Sequence, residues 1–162
     1  MAQQELQLRG MKLDIAIMEV SLTLDAARQA RLNPKPDLVF NLVESLGGKG
    51  ALIHFAPALL AALGLRHTGA KAEAMFLSSG KLASKRIFAS GGIPTPRWFA
   101  ADSTEQSGMP GQFIMKSTWE HASVGMDESA VVGHGMAAAE LRSLLRQRAG
   151  KLGGECFAEE FI

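Results

Sequence analysis

The sequence predicts an α/β protein in two parts, a partial parallel-sheet domain over residues 1–72 and an α+β unit over residues 73–162. Three observations lead there. The first part alternates β-rich runs with helical ones, the order that places helices on the faces of a parallel sheet. The texture changes after residue 72, where a long helical stretch gives way to short strand-like runs separated by polar loops. A strong helical segment, 136–150, then precedes a last apolar run, "ECFAEEFI".

Taken in order, "KLDIAIMEV", Lys12 to Val20, is β-rich and reads as a strand. Leu22 to Leu32 reads as a helix. Pro36 and Asp37 lead into Leu38 to Val43, an apolar run that suits a parallel strand covered on both faces. "ESLGGKG" is a Gly-rich loop, and Ile53 to Gly64 is a helix closed by its glycine. "AEAMFLSSGKLASKRIFASGG" is helical with a break near Ser78 to Gly80, and stops at Gly91-Gly92. In "IPTP" the residue before each proline is driven out of helical conformation, so the segment launches a strand over Arg97 to Ala101. After the loop "DSTEQSGMPG", Gln112 to Lys116 is a strand, with strand pieces at Ser123 to Met126 and Ser129 to Val132. Met136 to Gly150 is a helix, and the final run is a strand. There are no internal repeats or low-complexity tracts.

Composition narrows the function classes. Of 162 residues, 47% are hydrophobic and 20% charged, an ordinary globular balance. A net charge of +1 gives no reason to expect a nucleic acid or an anionic membrane as partner. A single cysteine, Cys156, excludes an internal disulfide and fits a reducing compartment. "MAQQELQLRG" has no apolar signal core, and "FAPALLAALGL" is too short and too Pro-interrupted to span a bilayer. The expectation is a cytoplasmic protein.

Several stretches are candidate sites. "SSGKLASK" holds a Gly-Lys pair, but a P-loop needs a glycine five positions before Gly80 and Ser or Thr after Lys81, where Met75 and Leu82 stand. "VVGHGMAAAEL" satisfies G-x-G-x-x-A between a strand and a helix, with Glu155 about twenty residues on, as a dinucleotide site requires. The competing reading is a tight turn. His54, His67, His121 and His134 lack metal-ligand spacing, and Ser78, Ser79 and Ser123 lack a histidine partner. Lys116 ends a buried strand beside a loop of small residues, a place for an ammonium that clamps phosphate; the bland alternative is a snorkelling strand-end lysine. Lys81 and Lys85 are one helical turn apart and share a face, with Lys85 read as solvated. Glu159 and Glu160 lie in an apolar strand, so alternation turns one inward, which needs a partner.

Five segments in order resemble the ATP-grasp superfamily, specifically its D-alanine–D-alanine ligase type: "PDLVFNLVESLGG", "PALLAALGLRHTGA", "GKLASKRIFASGGIPTPRW", "FIMKSTWEHASVGM" and "CFAEEFI". The resemblance runs from about residue 10 to residue 162. It implies a partial Rossmann-like, pre-ATP-grasp domain over 1–72 and the first, nucleotide-binding half of an ATP-grasp domain over 73–162. It also implies an ATP-dependent carboxylate–amine ligase that uses ATP and Mg²⁺ on a small carboxylate or amino-acid substrate, as a homodimer or with a separate second half. Lys81 and Lys116 would contact ATP phosphates. Glu120, His121, Ala122, Ser123, Val124 and Gly125 would form a loop over them, its small residues letting backbone N–H groups approach phosphate. Glu159 would accept from the adenine amino group, and the backbone of Glu160, Phe161 and Ile162 would complete the adenine edge.

The departures are specific. Gly80 stands in place of aspartate, Ser117 of proline, His67 of tyrosine, and His121-Ala122 of Gly-Ser. They put a D-alanine substrate in doubt more than ATP. The family's Mg²⁺ ligands and catalytic arginine are expected outside the chain, and no catalytic residue is assigned within it. Two alternatives stay open: a non-catalytic nucleotide-binding or interaction module of the same fold, and a dinucleotide-binding domain.

Overall fold

The computed structural model describes residues 14–23, 25, 35–120, 131, 132 and 134–162. Four helices are named here: α1 (Phe55–Ala62), α2 (Ala72–Ser79), α3 (Lys81–Ser90) and α4 (Ala138–Ala149). Four strands accompany them: β1 (Trp98–Ala100), β2 (Phe113–Ser117), β3 (Val131–Val132) and β4 (Cys156–Glu160). The strands form one sheet in the order β1-β4-β2-β3, every neighbouring pair antiparallel. The result is a mixed α/β architecture around a small antiparallel sheet.

Alternation along the strands sorts the two faces. Phe99, Phe113, Met115, Cys156 and Ala158 face one way and pack with Leu141 and Leu145 of α4. Those leucines are four apart, so they lie on one helical face. Met109, Ala138 and Leu152 complete this core. Each large side chain buried here contributes about 1.5–3 kcal/mol. β4 is buried from Cys156 to Glu159 because it has strands on both edges and cover on both faces.

Helix boundaries follow backbone chemistry. The chain between α2 and α3 is extended at Gly80, with φ −83° and ψ 95°, which ends one helix and begins the next. A Cβ at Gly80 would lie 2.8 Å from the Trp119 ring, so that position has no room for a side chain. α3 closes at Gly91, and Gly92 takes φ 70°.

From residue 53 onward the expected elements form close to their expected limits. Further upstream the outcome differs. Residues 14–20, within the strand expected at Lys12 to Val20, carry no regular structure, and Ile17 is 98% exposed. Most of the helix expected at Leu22 to Leu32, and the strand piece at Ser123 to Met126, lie outside the described residues. Leu38 to Val43 makes a single parallel bridge, Val39 to His67, rather than a strand. The Val39 N–H donates to the Arg66 carbonyl at 2.8 Å, and its carbonyl accepts from Thr68 at 3.0 Å. A strand needs a ladder beside it and a layer above it. Here Leu38, Phe40 and Leu42 are exposed, so a helix-covered parallel sheet is not assembled among the described residues.

The G-x-G-x-x-A stretch also acquires a different setting. Gly133 lies outside the described residues. β3 and β4 are separated by β2 rather than paired, unlike the adjacent strands of a dinucleotide fold. Met136 bridges Met109 with hydrogen bonds of 3.1 Å in both directions. Gly108 sits against the backbone of Met136 and Ala138, covering the start of α4 where a phosphate would have to dock.

Gly108 therefore tests this packing. Its φ is 58°, and an added Cβ would overlap the Met136 carbonyl oxygen. Gly108→Ala is expected to destabilise the fold by about 2 kcal/mol or more. Gly111→Ala, which has open space around it, is expected to change stability by less than about 0.5 kcal/mol. Urea unfolding of both variants decides it; equal midpoints would refute the close approach.

Candidate functional site

The sheet face opposite α4 carries Trp98 from β1, Ile114 and Lys116 from β2, and Phe157 and Glu159 from β4. In the register Ile114 opposes Glu159 and Lys116 opposes Phe157, so Lys116 is the diagonal neighbour of Glu159. Lys116 donates to Glu159 Oε2, and Lys85 Nζ from α3 lies 2.5 Å from Oε1. Glu159 is the inward-turned acid that alternation requires, and Glu160 is exposed.

Lys85 is not solvated, contrary to the expectation from its spacing. It is 6% exposed, donates to Thr95 Oγ1 at 2.8 Å and Pro96 O at 2.9 Å, and lies 5.2 Å from the Trp98 ring centroid. The physical reason is Glu159. A carboxylate in the middle of a sheet needs cations around it, and α3 crosses directly over β4's acid.

Lys81 starts α3, and the loop after β2 meets it there. Its N–H donates to Thr118 O at 3.0 Å and its Nζ to Glu120 O at 2.6 Å. Ser117 Oγ accepts from the N–H groups of Trp119 and Glu120, at 3.3 and 2.9 Å, and so shapes the first turn of the loop. The Glu120 carboxylate accepts from Gly50 N–H at 3.1 Å and lies against Gly153, whose φ is 80°. Trp119 Nε1 donates to Glu155 Oε2 at 2.9 Å, and its ring fills the space over Gly80.

Lys81, Lys116 and Glu120 thus come together where β2 ends and β4 begins, and Lys116 links them to Glu159 further along β4. His121, Ala122, Ser123, Val124 and Gly125 lie outside the described residues. The Glu160 N–H donates to Arg97 O at 2.8 Å and the Phe161 N–H to Gln112 O at 3.0 Å, so both are occupied within the protein. Phe161 and Ile162 are 50% and 93% exposed. Residues that pattern reading passed over are Lys85 as a buried partner, Trp119 and Thr95. The available signal was the pair Gly80 and Trp119: a small residue where the resemblance has an acid, and a large ring that uses the room.

Electrostatics separates the charged groups. Burial lowers the pKa of the Lys81 ammonium; the Glu120 charge opposes this, and the nearby Lys116 charge adds to it. Burial works against ionisation of Glu159, but hydrogen bonds and charge from Lys116 and Lys85 outweigh it and hold the carboxyl below its ordinary range. Among the described residues no three of His, Cys, Asp or Glu gather as metal ligands. No helix among them is long and apolar enough to cross a membrane.

The Glu159 shift fixes the sign of an acid response. A carboxyl whose folded pKa is depressed contributes stability above its unfolded value, about 4.3, and loses it as pH falls through the folded value. Wild type is expected to lose stability steeply below about pH 4.3, and Glu159→Gln to be less stable at pH 7 with a flatter acid limb. Urea midpoints from pH 7 down to about pH 3 measure this. Parallel limbs would contradict the assignment.

No family model matches the chain. A D-alanine–D-alanine ligase of Methylococcus capsulatus is 32% identical over 133 residues, which is 78% of this chain and 39% of that protein. The crystal structure of D-alanine–D-alanine ligase from Helicobacter pylori matches with a TM-score of 0.54 at 25% identity, covering 77% of this chain and 38% of that one. The Bacillus anthracis D-alanine–D-alanine ligase complexed with ATP matches with a TM-score of 0.58 at 21% identity, covering 85% of this chain and 42% of that one. The chain spans 39% of the length of the first of these relatives. Over that shared stretch the chain is similar in sequence and fold to D-alanine–D-alanine ligases, which are ATP-grasp proteins.

Proposed function

We propose that this chain is the nucleotide-binding region of an ATP-dependent carboxylate–amine ligase, with an N-terminal unit to residue 72 and the nucleotide-binding unit from residue 73. The observation that carries it is a pair of under-compensated cations. Lys81 and Lys116 come from different elements, and each uses one ammonium donor on the protein among the described residues. An ammonium has three donors, so two on each are unused among the described residues. Burial lowers the Lys81 pKa first, and the like charge of Lys116 adds to it against the opposing charge of Glu120. A polyphosphate reverses that penalty by supplying several anionic acceptors at once.

In this reading ATP phosphates lie between Lys81 and Lys116, beneath the loop that begins at Glu120. Glu120 fixes the near end of that loop through Gly50, and the small residues 121–125 are its phosphate-facing part. Ile162, just past the Glu160 and Phe161 N–H groups that are bonded within the protein, would present the strand end to the adenine. The reaction class transfers a phosphoryl group to a carboxylate, and an amine then displaces phosphate from the acyl phosphate. The two lysines would bind and orient the phosphates and compensate charge that develops on them. His121-Ala122 in the loop favours a carboxylate–amine substrate pair other than two D-alanines.

The ligase class also requires a divalent metal. Among the described residues no group of His, Cys, Asp or Glu gathers to hold it.

Lys81→Ala and Lys116→Ala are each expected to lower ATP affinity about ten- to 150-fold, the equivalent of one charge-assisted contact of roughly 1.5–3 kcal/mol. Exposed Lys35→Ala is expected to bind as wild type does. Calorimetric titration with ATP compares them, and equal affinity in all four proteins would refute the clamp.

The second measurement is turnover. The 162-residue chain with ATP, Mg²⁺ and a panel of D- and L-amino acids is expected to release no ADP above background, because the described residues gather no metal ligands. Sustained substrate-dependent ADP release would place the metal site within this chain.

A further inference from the structure

Three lysines converge on this site, and they differ in how many donors the protein occupies. Lys85 uses all three, on Thr95 Oγ1, Pro96 O and Glu159 Oε1. Its side chain is 7% exposed. It has neither a free donor nor an open path to a ligand. Among the described residues Lys116 uses one donor, on Glu159 Oε2, and its side chain is 33% exposed.

We propose that Lys85 is a positioning residue for Lys116, acting through Glu159. This rests on the reading of Lys116 as a phosphate contact. Two physical effects combine. The first is geometric. The terminal torsion of a glutamate is broad, so an unpinned carboxylate does not fix the group bonded to it. Lys85 pins Oε1, which leaves Oε2 at one place for Lys116. Lys85 is itself held by Thr95 and Pro96 in the "IPTP" segment, whose prolines restrict the backbone. The order of support therefore runs from the proline segment to Lys85, to Glu159, to Lys116.

The second effect is electrostatic. Glu159 alone would neutralise Lys116 and leave little charge for an incoming anion. Lys85 balances Glu159, so the three groups sum to one positive charge, and among the described residues the only open donors of the three are on Lys116. The Trp98 ring at 5.2 Å shields the Lys85 ammonium from solvent on one side and keeps this compensation internal.

The test is a double-mutant cycle with inorganic triphosphate and with ATP as separate ligands. The proteins are wild type, Lys85→Met, Lys116→Ala and the double variant. Lys85→Met is expected to weaken triphosphate binding about tenfold when Lys116 is present, and less than about twofold when it is alanine. Equal loss in both backgrounds, or no loss in either, would overturn the proposal. Thr95→Val serves if Lys85→Met does not fold; it removes one acceptor of the Lys85 cage and is expected to weaken binding several-fold in the Lys116 background alone. A spectroscopic readout separates this claim from the phosphate reading. The ammonium proton signal of Lys116, protected by Glu159 in wild type, is expected to be lost to solvent exchange in folded Lys85→Met or Thr95→Val. If wild type binds neither ligand, the phosphate reading fails, and persistence of that signal in the variants then refutes the positioning role.

Discussion

Glu159 sits on the central part of the sheet, with strands hydrogen-bonded on both sides of β4. Its carboxylate cannot turn to solvent, and an unpaired buried charge of this kind would be strongly unfavourable. Both oxygens must find cations, and the sheet can provide only one. Lys116 arrives diagonally along β2, and the other partner has to descend from the layer above. This requirement sets the rotation of α3 about its axis. Once Lys85 points down to Glu159, Lys81, one turn earlier on the same face, points toward the end of β2 and the loop that leaves it. The position of the outer lysine is a consequence of the inner one.

The two sheet faces follow different rules. The α4 face is apolar, and its residues could be exchanged for others of similar volume at modest cost. The α3 face combines a buried acid, two lysines and a tryptophan, and each depends on a specific partner. Glycines mark where the segments come closest. Gly80 admits the Trp119 ring, and Gly153 admits Glu120. The aspartate-to-glycine departure beside Lys81 is thus one half of a packed pair, with the ring of Trp119 occupying the volume above it. A site can differ from its relatives there without losing its shape.

What was legible in the sequence was what is local. Helices α1 to α4 and strands β1, β2 and β4 announce themselves through periodicity, glycine stops and the pre-proline restriction. Lys81 and Lys116 were legible as candidates because a lysine at a strand end beside small residues, and another at a helix start, are uncommon placements. Lys85 was misread because spacing gives the face a residue shares with Lys81 but not what lies opposite that face. Its partner is 74 positions along the chain. The upstream strand was misread for a related reason. An apolar run has β propensity, but a ladder depends on a neighbour, and Val39 has a bridge only to His67. The glycine fingerprint at 133–138 failed on context of the same non-local kind, since β2 separates the two strands that a dinucleotide fold would pair.

The charge distribution distinguishes this cluster from an ordinary structural ion network. In such a network the charges and donors would be mutually satisfied, and burial would be the only reason for the arrangement. Lys85 and Glu159 meet that description: their charges cancel and all three Lys85 donors are bonded. Lys81 and Lys116 do not. Among the described residues each bonds through one donor only, burial and then the Lys116 charge lower the Lys81 pKa, and both stand where the sheet ends and the loop begins. Folding alone gains little by bringing two such groups together, because repulsion and partial desolvation both oppose it. A multiply charged anion removes both penalties in one step, and the interior pair keeps the nearer lysine in place while the site waits for it.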